Sequence, residues 1–228
     1  MDPRRRAVLQ RRIRVIVGIT IGYNVVEAIV AISAGAAASS VALIGFGLDS
    51  VVEVLSAAAV AWQFTRKDPD RWERPTLRVI AVAFFALAAY VAVSAVLALT
   101  GFVDAEESTV GIVLAAVSLL VMPVASIIER RTGAELGSAT AVADSKQTLL
   151  CAWLSLAVLV GLLFDALLGW WWADPLAALV IAGFAVREGI EAWRGDACAT
   201  SIGMLLEGED EDEHHDHDHD HDGHVHHH

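Results

Sequence analysis

Six apolar stretches of about 20 residues dominate this sequence, and each is too long to be a β-strand. At 1.5 Å per residue, a helix of that length crosses a hydrocarbon layer roughly 30 Å thick. We therefore predict an all-α membrane protein, a bundle of six transmembrane helices. The spans run approximately over residues 13–33, 40–64, 77–100, 109–128, 147–168 and 172–193.

Composition supports this class and divides the chain into three parts. The hydrophobic fraction is 56%, whereas an ordinary soluble domain has about 45–50%. Residues 1–12 form a basic N-terminus, residues 13–194 the transmembrane domain, and residues 195–228 a short tail. The tail is rich in His and Asp from about residue 207 and is expected to be disordered there.

Lys and Arg lie at alternate connections between the spans. They occur in the N-terminus, between spans two and three, between spans four and five, and after span six, whereas the other three connections have neither. Because connections rich in Lys and Arg stay in the cytoplasm, we expect both termini there and the protein in the lipid bilayer of the cell membrane. The basic residues sit at span ends rather than on one patch, so no nucleic-acid partner is expected.

The tail supplies most of the net charge of −12 and every one of the 9 histidines. Alternating imidazole and carboxylate groups suit zinc and similar divalent ions. We expect this flexible segment to collect metal loosely rather than to form the transport site. An affinity tag or a merely solvated acidic end is the alternative, especially for the last three histidines. The histidines predicted to collect metal are His214, His215, His217, His219, His221 and His224.

Asp49 and Glu53 are two acids inside the second apolar span. Their spacing of four places both on one face of a helix. A charge near the bilayer centre costs about 2.5–3.5 kcal/mol on insertion scales, so the pair should face the bundle and meet a cation or a proton. The alternative is a protonated or Ser-bonded pair that only packs helices together.

The start of the fifth span presents a second group of candidate ligands, Asp144, Gln147 and Cys151, which share one helical stripe. If that stripe faces Asp49 and Glu53, the membrane encloses two carboxylates, a thiol and an amide oxygen. Ordinary packing is the alternative for Cys151, because a free cysteine is commonly buried.

Two further polar features lie in spans one and six. Asn24 and Glu27 sit one turn apart, and either interhelical hydrogen bonding or a functional role explains them equally well. Asp174 followed by Pro175 is typical of a capping residue and a proline in the first turn, so we predict that Asp174 caps the sixth helix.

Together these features resemble the cation diffusion facilitator family over about residues 10–194. The resemblance rests on Asp49-Ser-Val-Val-Glu53 in span two, Ala143-Asp144 leading span five, Trp172-Ala-Asp-Pro leading span six, and the His-rich tail. Members of that family export zinc and related divalent metals from the cytoplasm against protons, usually as homodimers. Their metal site joins two acids of the second helix to a His or Asp pair, four residues apart, on the fifth.

The resemblance places Asp49 and Glu53 on the second-helix pair and Gln147 and Cys151 on the fifth-helix pair. An amide and a thiol there depart from the family pattern. The 34 residues after Arg194 are also too few for the usual C-terminal cytoplasmic domain. We therefore expect a divergent member without that domain, whose dimer is formed by membrane helices.

The resulting hypothesis is a cation/proton antiporter that exports a divalent metal, zinc first, as its transported substrate. The predicted metal ligands are Asp49, Glu53, Cys151, Gln147 and Asp144. A non-transporting membrane protein that binds zinc or regulates is the main alternative, and a carrier of organic cations is a second. We expect no enzymatic activity, because the sequence contains no nucleophile–base arrangement, P-loop or cofactor fingerprint.

Overall fold

The computed structural model describes residues 3–64, 69–101, 108–136 and 139–195, which form six α-helices. Each predicted span coincides with part of one helix, to within one residue at its ends, so the all-α fold is confirmed. Several helices extend beyond their spans, because main-chain hydrogen bonds continue through charged residues where the apolar stretch has ended. The helices are α1 (Pro3–Ala38), α2 (Val41–Phe64), α3 (Pro69–Leu99), α4 (Thr109–Leu136), α5 (Ala139–Leu168) and α6 (Ala173–Arg194).

Five of the described helices, α1 to α5, contain a stretch long and apolar enough to cross a membrane. The sixth, α6, has 22 residues and is therefore also long enough. Its charges set it apart, since Asp174 lies in the first turn and Arg187, Glu188 and Glu191 lie near the other end.

Helix α2 lies at the centre of the bundle, in contact with α1, α3, α5 and α6. Its membrane segment is the most buried of the five. Glycines allow α1 and α2 to approach closely. A Cβ on Gly35 would lie 2.8 Å from the main-chain nitrogen of Ile44, and one on Gly47 would lie 2.9 Å from that of Ile32. Small residues thus bring the acidic helix against its neighbour.

Two contacts join the first part of one helix to the end of a later helix. Arg5 of α1 pairs with Glu135 of α4 on the surface. The Arg78 guanidinium of α3 lies over the Trp193 ring of α6, 5.6 Å from its centroid. The start of α1 therefore lies beside the end of α4, and the first part of α3 lies beside the end of α6.

Asp174 does not cap its own helix, so that prediction is wrong. The residue before α6 is Trp172, which makes no side-chain capping bond. The Asp174 carboxylate instead accepts hydrogen bonds from the Ser40 hydroxyl and from the main-chain N–H groups of Val41, at 2.9 Å, and Ala42, at 3.3 Å. The first N–H groups of α2 are buried and have no partner within their own helix, so a carboxylate from a neighbouring helix satisfies them.

Candidate metal site

Asp49 and Glu53 face the interior of the bundle from the middle of α2. Asp49 is 8% exposed, and Glu53 is partly buried. Ser50 and Ser56 flank them and are also buried. The polar face of α2 is therefore turned towards its neighbouring helices rather than towards lipid.

Glu53 is held by side chains from two other helices. The Asn24 amide of α1 donates to Oε2 at 2.8 Å, and the Cys151 thiol of α5 donates to Oε1 at 2.8 Å. The structure thus brings together the second-helix acid and the fifth-helix thiol, so the fifth-helix stripe faces α2 at Cys151. Their role as metal ligands stays a prediction.

Apolar side chains cover the thiol from the other side. Cys151 is buried and packs in a small cluster with Met122, Ala152 and Tyr23. Cys151 was interpreted as either a candidate ligand or an ordinary packed residue, and its environment has features of both. It is packed like a core residue, and its thiol also donates to a carboxylate.

Glu27 joins three helices through hydroxyl groups. It is 2% exposed, and its carboxylate accepts from Ser50 of α2 at 2.8 Å and from Ser118 of α4. Ser118 in turn lies 2.7 Å from the Tyr23 hydroxyl. Asn24 and Glu27 thus form hydrogen bonds to different partners on other helices, which agrees with the interpretation that they serve in interhelical hydrogen bonding. Ser118 is one of two serines in the apolar sequence of α4, and its sequence context gave no signal of this contact.

Glu188 of α6 is a further member of the acidic region, and the sequence analysis missed it. Its carboxylate lies close enough to Asp49 to interact with it electrostatically. A signal was present, because Glu188 lies between Ala185 and Gly189 on the face of small residues that α6 buries. The neighbouring arginines, however, are typical of the cytoplasmic end of a membrane helix, so the sequence did not mark Glu188 as part of the site.

The arrangement concentrates negative charge inside the membrane domain. Glu27, Asp49 and Glu53 all interact electrostatically with Cys151, and Glu188 interacts with Asp49. Neighbouring ionised acids repel one another in an apolar interior, so protons or a cation stabilise them. Among the described residues, however, no three His, Cys, Asp or Glu side chains are placed to hold a metal ion as they stand.

A small movement would convert the Cys151–Glu53 hydrogen bond into a pair of metal ligands. The sulfur and the carboxylate oxygen are 2.8 Å apart. On a tetrahedral zinc ion, a sulfur and an oxygen ligand are about 3.5 Å apart. The two atoms would have to separate by about 0.7 Å, which a rotation of either side chain provides.

The remaining predicted ligands cannot be placed. Asp144 and Gln147 belong to α5, but their side chains lie outside the described part of the structure. The tail histidines also lie outside the described residues.

Buried acids on the central helix of a multi-pass membrane bundle are the arrangement expected of a cation carrier. The family model for the Cation efflux transmembrane domain matches residues 17–194, almost the whole bundle. The chain belongs to this family, which confirms the resemblance seen in the sequence, and it is an integral membrane transporter of divalent cations. A search of curated proteins gave no match.

Proposed function

We propose that this transporter exports zinc from the cytoplasm in exchange for protons. The observation that best supports the proposal is the contact between Glu53 of α2 and Cys151 of α5 inside the bundle. Carboxylate oxygen and thiolate sulfur are both ordinary zinc ligands.

The ligand chemistry favours zinc over harder ions. Asp49 supplies a second carboxylate one turn from Glu53, and Gln147 and Asp144 are the candidates for completing the site. A sulfur ligand favours zinc and cadmium over manganese or iron(II). We therefore expect cadmium to compete with zinc more effectively than manganese does.

The proton in the Cys151–Glu53 hydrogen bond gives the proposal its coupling step. A metal ion bound by both atoms requires the deprotonated thiol, so its binding releases a proton. Reprotonation of the thiol restores the hydrogen bond and removes one ligand from the metal. Protons and metal thus compete for the same pair of atoms, which is the physical requirement for exchange.

Zinc flux in proteoliposomes tests this function directly. With the full chain reconstituted, we expect zinc to accumulate in the direction opposite to the flow of protons down their gradient. The accumulation should stop when a protonophore collapses that gradient. Glu53→Gln should abolish the flux, whereas Glu135→Gln, at an exposed helix end, should leave it unchanged. Flux that ignores the protonophore would contradict antiport. Zinc binding without any flux would favour the non-transporting metal-binding alternative.

The same proposal covers orientation and assembly. We place both termini in the cytoplasm of a cell-membrane protein, because the arginines gather at the connections expected there. We also propose a homodimer formed by membrane helices and no enzymatic activity. Crosslinking of reconstituted protein measures the fraction of dimer. A monomer that carries zinc at the full rate would contradict a functional dimer.

A further inference from the structure

Asn24 of α1 has a buried carbonyl oxygen beside the acidic site. The residue is 7% exposed, and Oδ1 has no hydrogen-bond partner. Leaving such an acceptor buried and unsatisfied costs about 1–3 kcal/mol. The other end of the same amide is fully engaged, since Nδ2 donates to Glu53 Oε2 at 2.8 Å.

The orientation of this amide follows from its partner. An ionised carboxylate only accepts hydrogen bonds, so the Asn24 amide must turn its NH₂ group towards Glu53 when no cation is present. Its oxygen is then directed elsewhere within the same buried region. An amide oxygen is itself a ligand for divalent cations.

We propose that Asn24 is a ligand of the transported cation, through its carbonyl oxygen, and that its amide turns over when the cation binds. The proposal rests on the proposed function only in taking Glu53 as a metal ligand. A cation held by both oxygens of Glu53, with Cys151 on the Oε1 side, displaces the NH₂ donor from Oε2, because an N–H group and a metal ion cannot occupy the same side of that oxygen.

The required movement is small. A half-turn about the bond between Cβ and Cγ exchanges the amide nitrogen and oxygen, so that Oδ1 takes the position now 2.8 Å from Glu53 Oε2. Two oxygen ligands of one tetrahedral zinc ion lie about 3.3 Å apart, so a further shift of about 0.5 Å completes the geometry. Without a cation the two oxygens would repel each other, and with a cation between them both are attracted to it.

This ligand brings α1 into the site. Asn24 of α1 then joins Asp49 and Glu53 of α2 and Cys151 of α5, so three helices contribute ligands. The neutral amide adds an oxygen ligand without adding a charge to a region already crowded with acids.

Two substitutions at position 24 separate a ligand from a residue that only positions Glu53. The full chain, reconstituted as wild type, Asn24→Leu, Asn24→Asp and Thr76→Val, is assayed for zinc, manganese and cadmium flux. Thr76 is the matched control, because its hydroxyl oxygen is also buried without a hydrogen-bond partner but lies on α3. We expect Asn24→Leu to raise the KM for zinc at least about tenfold and Thr76→Val to leave it unchanged.

Asn24→Asp gives the decisive result. A carboxylate at a ligand position should restore the zinc KM and raise manganese flux relative to cadmium flux, because a charged, hard oxygen replaces a neutral one. If Asn24→Asp is as impaired as Asn24→Leu, or if its manganese-to-cadmium ratio equals that of the wild type, Asn24 only positions Glu53. Wild-type zinc KM in Asn24→Leu would also overturn the proposal.

Two further measurements keep the test independent of folding and of transport. Should the leucine variant fail to fold, the ratio in Asn24→Asp decides alone. Should the wild type bind metal without carrying it, the proposed function fails. Competition of manganese against cadmium for purified full-length protein then gives the same ratio. All variants share the tail, so differences between them report the membrane site.

Discussion

Two carboxylates bound along helix α2 are held in different ways. Asp174 reaches the start of α2 from α6, where it accepts from the Ser40 hydroxyl and from two main-chain N–H groups. Glu53, three turns further along, accepts from the side chains of Asn24 and Cys151. A main-chain N–H in a helix cannot turn away, whereas an amide or a thiol can. The first carboxylate is therefore a fixed part of the fold, whereas the partners of the second can move aside, as metal binding at our proposed site requires.

The hydrogen-bond partners of Glu27 are less fixed than those of Asp174 but tie more helices together than those of Asn24 or Cys151 alone. Its partners, Ser50 and Ser118, are hydroxyl groups that can rotate. They come from two other helices, however, so the contact also ties α1 to α2 and α4. We place Glu27 beside the metal site rather than among its ligands.

Removal of the Glu53 carboxylate should have the largest effect on metal. We expect Glu53→Ala to weaken zinc binding to the membrane domain about 100-fold, equivalent to about 2.7 kcal/mol, because a charged ligand is lost. Glu27→Ala should weaken it by about tenfold or less, because only the neighbouring charge changes. Zinc titration of protein without residues 207–228 measures both. Equal losses at the two positions would show that the site is misplaced.

Removal of the Asp174 carboxylate should affect stability instead. Asp174→Ala leaves the buried N–H groups of Val41 and Ala42 without their acceptor, which we expect to cost about 3 kcal/mol. The thermal midpoint in detergent should fall by several degrees, while the zinc KM of the folded protein stays at the wild-type value. Ser40→Ala, which removes one capping hydroxyl, should cost about 1 kcal/mol. A raised KM with an unchanged midpoint would reverse the roles assigned to the two carboxylates.

Deletion of the tail should have the smallest effect on transport. Without residues 207–228 we expect fewer zinc ions bound per chain but a turnover within about twofold of the wild type, since flexible His and Asp residues bind metal loosely. Equilibrium dialysis counts the bound ions, and flux gives the turnover. Loss of transport with the tail would contradict its role as a collector.

The sequence predicted the fold well because apolar length is a local signal. Each span can be recognised without reference to any other, and all six match observed helices to within one residue at the ends of the spans. The sequence also identified Asp49, Glu53 and Cys151 as candidate ligands. Their spacing puts the two acids on one helix face, and a polar group is rare in an apolar span.

Contacts between helices were harder to predict. Asp174 follows the local pattern of a capping residue, yet the N–H groups that it satisfies belong to α2. Glu188 lies close to arginines in the sequence, and only the packing of α6 brings its charge to Asp49. In both cases the decisive partner is on another helix, which a spacing rule along one helix does not contain.

The central claim is that Glu53 and Cys151 bind one metal ion together. Ultraviolet absorption of the cadmium–thiolate bond tests it in the full chain, with one equivalent of cadmium added. We predict this absorption in the wild type and in Cys198→Ser, which removes the other of the two cysteines in the sequence. We predict none in Cys151→Ser and a strong reduction in Glu53→Ala, which retains the Cys151 thiol. Undiminished absorption in Cys151→Ser or in Glu53→Ala would contradict it.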